Sequence, residues 1–295
     1  MSKFSFVKQS KCYICDSKTS RKVCSFYNID YLKCNKCLHV FTNKRLSDKS
    51  LSKFYTQNKE YFSYLYTNKK ILKIRLKIFY PKIKFISKFT KGKYWLDIGS
   101  GGGTAVKVIE NNGFHAFGIE LSESGRQYAK DNFAVNLFPE KLEEFIKLKK
   151  MKFDIISYFG VLEHLSEPMK QLRLCHKILK NDGIIAIEVP NYDSFSTQVQ
   201  KFIKHPARHL HPHFHIMMFT KKSMETALAK TGFKPIAIWY WGMDMIEFLK
   251  FFIQKQKSRD KTHVKTLIDF ADDFQKIFDQ HEKSDEFLII AKKIS

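Results

Sequence analysis

From residue 94 onward, short apolar runs alternate with stretches of helical spacing. YWLDIG (94–99) ends in Gly, and TAVKVIENN after it repeats apolar positions at helical intervals. HAFGIEL (115–121) predicts a second strand, with helical SESGRQYAKDN behind it. VNLF (135–138) predicts a weak third strand, FDIISYF (153–159) a fourth and IIAIEVP (184–190) a fifth. FKPIAIWYW (233–241) and DEFLIIAKK (285–293) complete the set of seven. Between them, PMKQLRLCHKILK reads as an amphipathic helix stopped by Asn181-Asp182-Gly183. TKKSMETALAKTG reads as another, with Thr220 as N-cap and Gly232 at its end. Strands separated by helices build a parallel sheet covered on both faces. The expected fold class is therefore α/β, with ligands at the carboxyl ends of the strands.

The chain ahead of this alternation differs. Residues 1–42 are Cys-rich and read as a small module. Residues 43–93 are rich in Lys, Tyr and Ile, with helical spacing broken at Pro81, and read as a basic connector or lid. Residues 94–295 form the main domain, with insertions at about 191–219 and 242–284. The tyrosines at 55, 61, 64 and 66 fall in the connector, and ILKIRLKIFY (71–80) reads as a core-packing helix with solvated Lys.

Hydrophobic residues at 44% and aromatics at 15% exclude wholesale disorder. No apolar run approaches the ~20 residues of a spanning helix. The first residues, MSKFSFVKQSKC, show no apolar core with a small-residue cleavage site, so a reduced, cytoplasmic setting is expected. The formal charge is +23, and it is uneven. Residues 1–93 carry 23 Lys and Arg against 4 Asp and Glu, whereas residues 94–295 carry 29 against 25. The front third would attract anionic partners: nucleic acid, nucleotide-linked or other anionic small-molecule or carrier-linked substrates, or an anionic lipid surface.

The densest chemistry is Leu96-Asp97-Ile98-Gly99-Ser100-Gly101-Gly102-Gly103, which follows a strand and opens a helix. Glycine at 99 and 101 lets main chain and ligand approach closely. Some twenty residues on, the next strand ends in Glu120, where a carboxylate can accept both hydroxyls of a ribose. An acid just ahead of the turn suits a cationic ligand end better than a pyrophosphate.

At these residues the sequence resembles the class I S-adenosylmethionine-dependent methyltransferases, whose first motif reads acid-x-Gly-x-Gly-x-Gly. FDIISYFGVLEHLSEP (153–168) is similar to their fourth-strand motif, and NDGIIAIEVPN (181–191) to the stretch that follows. The resemblance covers about residues 94–240 and the last strand. It implies a Rossmann-like seven-stranded sheet and S-adenosyl-L-methionine as cofactor. It also implies that Asp97 lies near the amino-acid end of the cofactor and that Gly99 and Gly101 line it. Glu120 would take the ribose, and Leu121, with Glu140, Lys141 and Leu142, would edge the adenine. Tyr158 and Phe159 would lie near the transferred methyl.

Cys12-x2-Cys15 and Cys34-x2-Cys37, 18 residues apart, have the spacing of a four-thiolate zinc ribbon with structural Zn2+. Cys24 and Cys175 read as ordinary buried thiols. A ribbon ahead of this core resembles bacterial methyltransferases of sugars and other small molecules. It also resembles a ribosomal-RNA guanine methyltransferase family. The four-Cys pattern and the wording LKCNKCLHVFTN are closer to the first, which makes RNA methylation the alternative function.

On the acceptor side, His164 beside Glu163 is a candidate base. Some quinone-biosynthesis relatives hold a metal with Glu-x-x-Glu-His, but Gly160 stands in place of the first Glu, so no metal is expected there. In HPARHLHPHFHIMMFT (205–220), His209, His211, His213 and His215 alternate, and an extended strand would place all four on one face. His211 and His215 are further candidate bases, and Tyr192 and Asp193 could face the acceptor.

Overall fold

The computed structural model describes residues 4–51, 69–206, 208–255, 265–266 and 269–294. The connector tyrosines at 55, 61, 64 and 66 lie outside them. The chain begins with five short strands: β1 (Phe6–Lys8), β2 (Ser20–Phe26), β3 (Ile29–Cys34), β4 (Val40–Thr42) and β5 (Lys44–Leu46). β2 and β3 form a hairpin through Tyr27 and Asn28, both at positive φ. β4 pairs antiparallel with β3, and β1 with β5.

Helix α1 (Lys69–Ser87) runs through Pro81 instead of breaking there. Pro81 is exposed while Lys82, Ile83 and Ile86 are buried. The ring therefore faces solvent, and burial of the neighbouring residues outweighs one lost backbone bond. The alternation then follows as β6 (Tyr94–Ile98), α2 (Thr104–Asn111), β7 (His115–Ile119), α3 (Glu123–Phe133), α4 (Leu142–Lys149), β8 (Phe153–Phe159), α5 (Pro168–Ile178) and β9 (Leu179–Pro190). After it come α6 (Phe195–Phe202), β10 (Met217–Met218), α7 (Lys221–Lys230), β11 (Phe233–Trp241), α8 (Asp244–Lys255), α9 (Ala271–Gln280) and β12 (Glu286–Lys293). None of the helices among the described residues is long and apolar enough to cross a membrane.

The main sheet has the order β11-β12-β9-β8-β6-β7. β7, β6, β8 and β9 are parallel, and β12 enters antiparallel between β9 and β11. The central strands are buried on both faces, which explains their unbroken apolar runs. One face packs Ile83 and Ile86 of α1 and Val108 and Ile109 of α2 over Trp95, Ile155 and Ile184. The other packs α4, α5 and α7, and the same cluster takes in Cys12, Cys34, Cys37 and Phe41.

Three expectations are corrected. The third strand is reduced to one parallel bridge, Ile119 to Phe138, giving six strands instead of seven. Phe138 donates to Gly118 and accepts from Glu120, but Pro139 follows and has no N–H to extend the ladder. Asn181-Asp182-Gly183 lies inside β9, not after a helix, because α5 ends at Ile178 and the register jumps between Leu179 and Ile184. The histidine-rich segment is a turn, not a strand: the amides of Phe214 and His215 both donate to the His211 carbonyl, with Pro212 at the turn's second position.

Candidate active site

The loop after β6 is shaped by its neighbours. Gly99 has φ +75°, and a Cβ there would sit 2.5 Å from Val161, the first turn after β8. Gly101, at φ +53°, donates its N–H to Glu120 Oε2 at 2.7 Å. Glu120 Oε1 accepts from the Ser122 amide, also at 2.7 Å, just ahead of α3. One carboxylate at the end of β7 thus ties the glycine loop to the start of the next helix. Burial raises the Glu120 carboxyl above the usual range, against the pull of those amide bonds.

Asp97 is 1% exposed. Its Oδ1 accepts from Ser157 Oγ at 2.6 Å, and Ser157 Oγ accepts from Trp95 Nε1 at 2.9 Å. Burial lifts the Asp97 carboxyl to about 7, opposed by the Ser157 and Ser100 hydrogen bonds and aided by Glu120. Sequence reasoning missed Ser157, which lies opposite Asp97 in the β6–β8 register.

Next to this loop are features that fit an adenosine. Leu121 is 57% exposed beside Glu120. Glu140 Oε2 is buried with no hydrogen-bond partner among the described residues and would suit an exocyclic amine. Leu142 is buried at the start of α4. Tyr158 is a correction: it is wholly buried, and its hydroxyl lies 3.3 Å from Cys175 Sγ on α5, so it cannot lie against a ligand at the loop. Phe159 packs edge-on to Phe79 of α1, at 5.3 Å between ring centres.

Beyond β8 the chain makes a one-turn helix, Leu162–His164. His164 Nδ1 bonds the Phe214 carbonyl at 2.8 Å, and His215 Nδ1 bonds the His209 carbonyl at 2.8 Å. A carbonyl only accepts, so both Nδ1 atoms carry a proton, and in the neutral imidazole each Nε2 keeps its lone pair. The two rings meet edge-on at 4.7 Å. Burial holds both imidazoles below the ordinary histidine range; His215 lies well below, with His164 and His209 adding to it. Glu163, 2% exposed, has a carboxylate oxygen 3.8 Å from His164 Nε2, and burial, then Glu286 and Glu188, pushes it well up. Ligand atoms of Glu163, His164 and His215 lie within 4.8 Å of one another.

The 211–215 turn divides the four histidines. His209 stacks on His215 at 5.6 Å between centres. His211 and His213 lie by Tyr27 at the β2–β3 tip, 5.1 and 5.5 Å away. His211 therefore does not share a face with His215, contrary to what the alternation predicts. Tyr192 is also corrected: it is buried against Tyr31, Val40 and Met218, and Asp193 lies 3.7 Å from Lys33, so both face the cysteine module.

Polar pairs that sequence reasoning missed lie behind His164 and Glu163. Arg208 forks onto Asp285 and Glu286 at 2.6 Å each. Lys82 Nζ lies 2.5 Å from Glu188 and 3.7 Å from the centre of a Trp241 ring. No short-range pattern marks them, because their partners are 77, 78 and about a hundred residues apart in sequence.

The four module cysteines are free thiols with their sulfurs within 4.8 Å of one another. Cys12 to Cys37 and Cys15 to Cys34 are each 3.5 Å. Four thiolates at 2.3 Å around a tetrahedral zinc stand about 3.8 Å apart, so the donor set fits that ion.

A family model described as "Methyltransferase domain" matches residues 71–238, more than half of the chain. Over 110 residues the chain is 34% identical to a ubiquinone biosynthesis O-methyltransferase of Glaesserella parasuis, covering 34% of this chain and 46% of that protein. The Actinobacillus pleuropneumoniae enzyme of the same name is 28% identical over 109 residues, 34% of this chain and 47% of its own. The chain spans about half the length of the curated relatives it matches. Among solved structures, magnesium protoporphyrin IX methyltransferase from Synechocystis PCC 6803, with bound SAH, shares the fold with TM-score 0.53 and 13% identity, covering 83% of this chain and 100% of that one. A plantazolicin methyltransferase in complex with SAH does so with TM-score 0.54 and 15% identity, over 83% and 94%.

Proposed function

Because the chain belongs to the methyltransferase-domain family, we propose that it transfers a methyl group from S-adenosylmethionine to a small or carrier-linked hydroxylated acceptor, a sugar such as a nucleotide-sugar or surface-glycan precursor. The observation that carries this reading is the neutral His164–His215 pair, both lone pairs free, beside the fixed glycine loop. S-adenosylmethionine supplies a methyl on a positively charged sulfur. Asp97 and Glu120 would hold its amino-acid end and ribose, with Gly99 and Gly101 along it and Leu121 and Glu140 at the adenine. In-line displacement gains most from alignment. The acceptor oxygen attacks the methyl carbon as the carbon–sulfur bond breaks and its electrons pass to sulfur. His164 Nε2 or His215 Nε2 takes the acceptor proton. Glu188, Glu286 and Arg208 are buried or half-buried ion-paired groups near Glu163, on the protein side of the two histidines. Cys12, Cys15, Cys34 and Cys37 would hold a structural zinc, and the basic front third would meet the substrate's phosphate.

The test is transfer of label from tritiated S-adenosylmethionine into fractionated cell extract. Label in nucleotide-sugar or glycan fractions is the expected result. Label in nuclease-sensitive material would replace this acceptor with RNA.

A further inference from the structure

Three consecutive carbonyls around His215 are each held by a different donor. Phe214 O accepts from His164 Nδ1 at 2.8 Å. His215 O accepts from the Tyr31 hydroxyl at 2.9 Å, across 184 residues of chain. Ile216 O accepts from the Thr42 amide at 2.9 Å and the Thr42 hydroxyl at 3.3 Å. Two of the three sets of donors belong to the cysteine-rich front of the chain. The strand that follows, β10, completes that module's sheet in the order β10-β4-β3-β2, with Met217 opposite Phe41 and Met218 opposite Val40.

We propose that the cysteine module is a positioning device for the acceptor-side histidines, with Tyr31 and Thr42 as its positioning residues. The proposal rests on the reading of His164 and His215 as acceptor-side groups. The chain of contacts is continuous. Cys34 ends β3 and Cys37 precedes β4, so a metal held by the four thiols closes the β3–β4 turn. That hairpin carries Tyr31 and Thr42, which grip main chain and not side chain. Tyr31 is fully buried in a cluster with Phe26, Val40, Tyr192, Leu210 and Met218, drawn from both ends of the sequence. His215 is thereby set against His164, whose Nδ1 bonds the same segment. A displacement of about 1 Å in such a group is enough to lose alignment. Among the described residues, the glycine loop has its own hydrogen bonds: Asp97 with Ser157, Gly101 with Glu120, and Glu120 with Ser122.

The test uses the full chain in three further forms: Tyr31→Phe, Thr42→Val, and protein stripped of metal by chelation and then given back zinc. Phe keeps the buried ring and Val keeps the volume of Thr. Two readouts need no acceptor. Nitrogen NMR of histidine-labelled protein reports the tautomer of His164 and His215, and calorimetry reports S-adenosylmethionine affinity. The single Nδ1–H tautomer should give way to a mixture in all three forms and return when the stripped protein regains zinc, while cofactor affinity stays within about twofold. Thr42→Ser, which keeps the hydroxyl, should preserve the tautomers. Unchanged tautomers in Tyr31→Phe and in stripped protein would overturn the proposal. Loss of cofactor affinity in step with the tautomers would also overturn it, by making the module a general scaffold. If the unmutated chain fails to bind S-adenosylmethionine while its tautomers still respond to zinc, the functional reading falls and the positioning role stands.

Discussion

Glu120 accepts the Gly101 amide at 2.7 Å, and that bond joins the ends of two neighbouring parallel strands at the place where the cofactor would lie. The same carboxylate also takes the Ser122 amide, so it fixes the loop before any ligand arrives. In Glu120→Gln one amide would face another donor, the side-chain NH2. Bonds to a charged acceptor contribute roughly 1.5–3 kcal/mol. S-adenosylmethionine affinity should therefore weaken by about 10- to 150-fold by calorimetry. An affinity within twofold of the unmutated chain would show that the loop does not depend on this carboxylate.

Asp97 makes a prediction with a sign. Its folded carboxyl sits at about 7 against an ordinary 3.8, because it is buried. The folded state thus holds its proton to higher pH than the unfolded chain. Stability from this group is complete below about 3.8 and is lost as pH rises to about 7. Asn carries no charge at either end of that window. Asp97→Asn should gain stability relative to the unmutated apo protein as pH rises from 4 to 8, by up to roughly 4 kcal/mol. Urea unfolding at a series of pH values measures the gap, and parallel curves would sink the idea. The cationic cofactor should bind the unmutated chain more tightly as pH rises through 7, with proton release, and the variant should lose that dependence.

Much of this architecture could be read from the residues in order. The strand that ends in Asp97, the glycine turn and the acid at 120 follow from apolar runs and local turn chemistry, and their neighbours in sequence are neighbours in space. The cysteine spacing was legible for the same reason, because each C-x-x-C pair is local. What was not legible depends on distant pairing. Ser157 reaches Asp97 only through the β6–β8 register, and Tyr31 reaches His215 across most of the chain. The histidine alternation misled because Pro212 favours a turn, and a turn breaks the two-residue period on which a shared face depends. Tyr158 misled because the end of a strand fixes where the backbone arrives, not which face the side chain takes.

Tyr158 offers a check on that correction. Among the described residues its hydroxyl meets Cys175 Sγ, at 3.3 Å inside the core. Tyr158→Phe removes a weak bond to sulfur and leaves the ring in place. Stability should fall by no more than about 1 kcal/mol in chemical unfolding, and cofactor affinity should stay within twofold. A tenfold loss of affinity would place the phenol at the ligand after all.

The division of the histidines gives the last prediction. His164 and His215 share an edge-on contact and free Nε2 lone pairs, whereas His211 packs by Tyr27 and Phe214. A general base contributes typically 10²–10⁴-fold. Replacing whichever of His164 and His215 is the base by Ala should lower methyl transfer to the isolated acceptor by about that factor, with cofactor affinity retained. His211→Ala should leave the rate within about threefold, since a ring that only packs changes position more than chemistry. The pH profile supplies an independent sign. Burial holds both imidazoles below their usual 6.5, so the acid limb of kcat/KM should fall below that value, and the neutral base should work on into mildly acidic solution. An acid limb above 6.5, or a His211→Ala loss equal to that at His164, would move the base away from the pair.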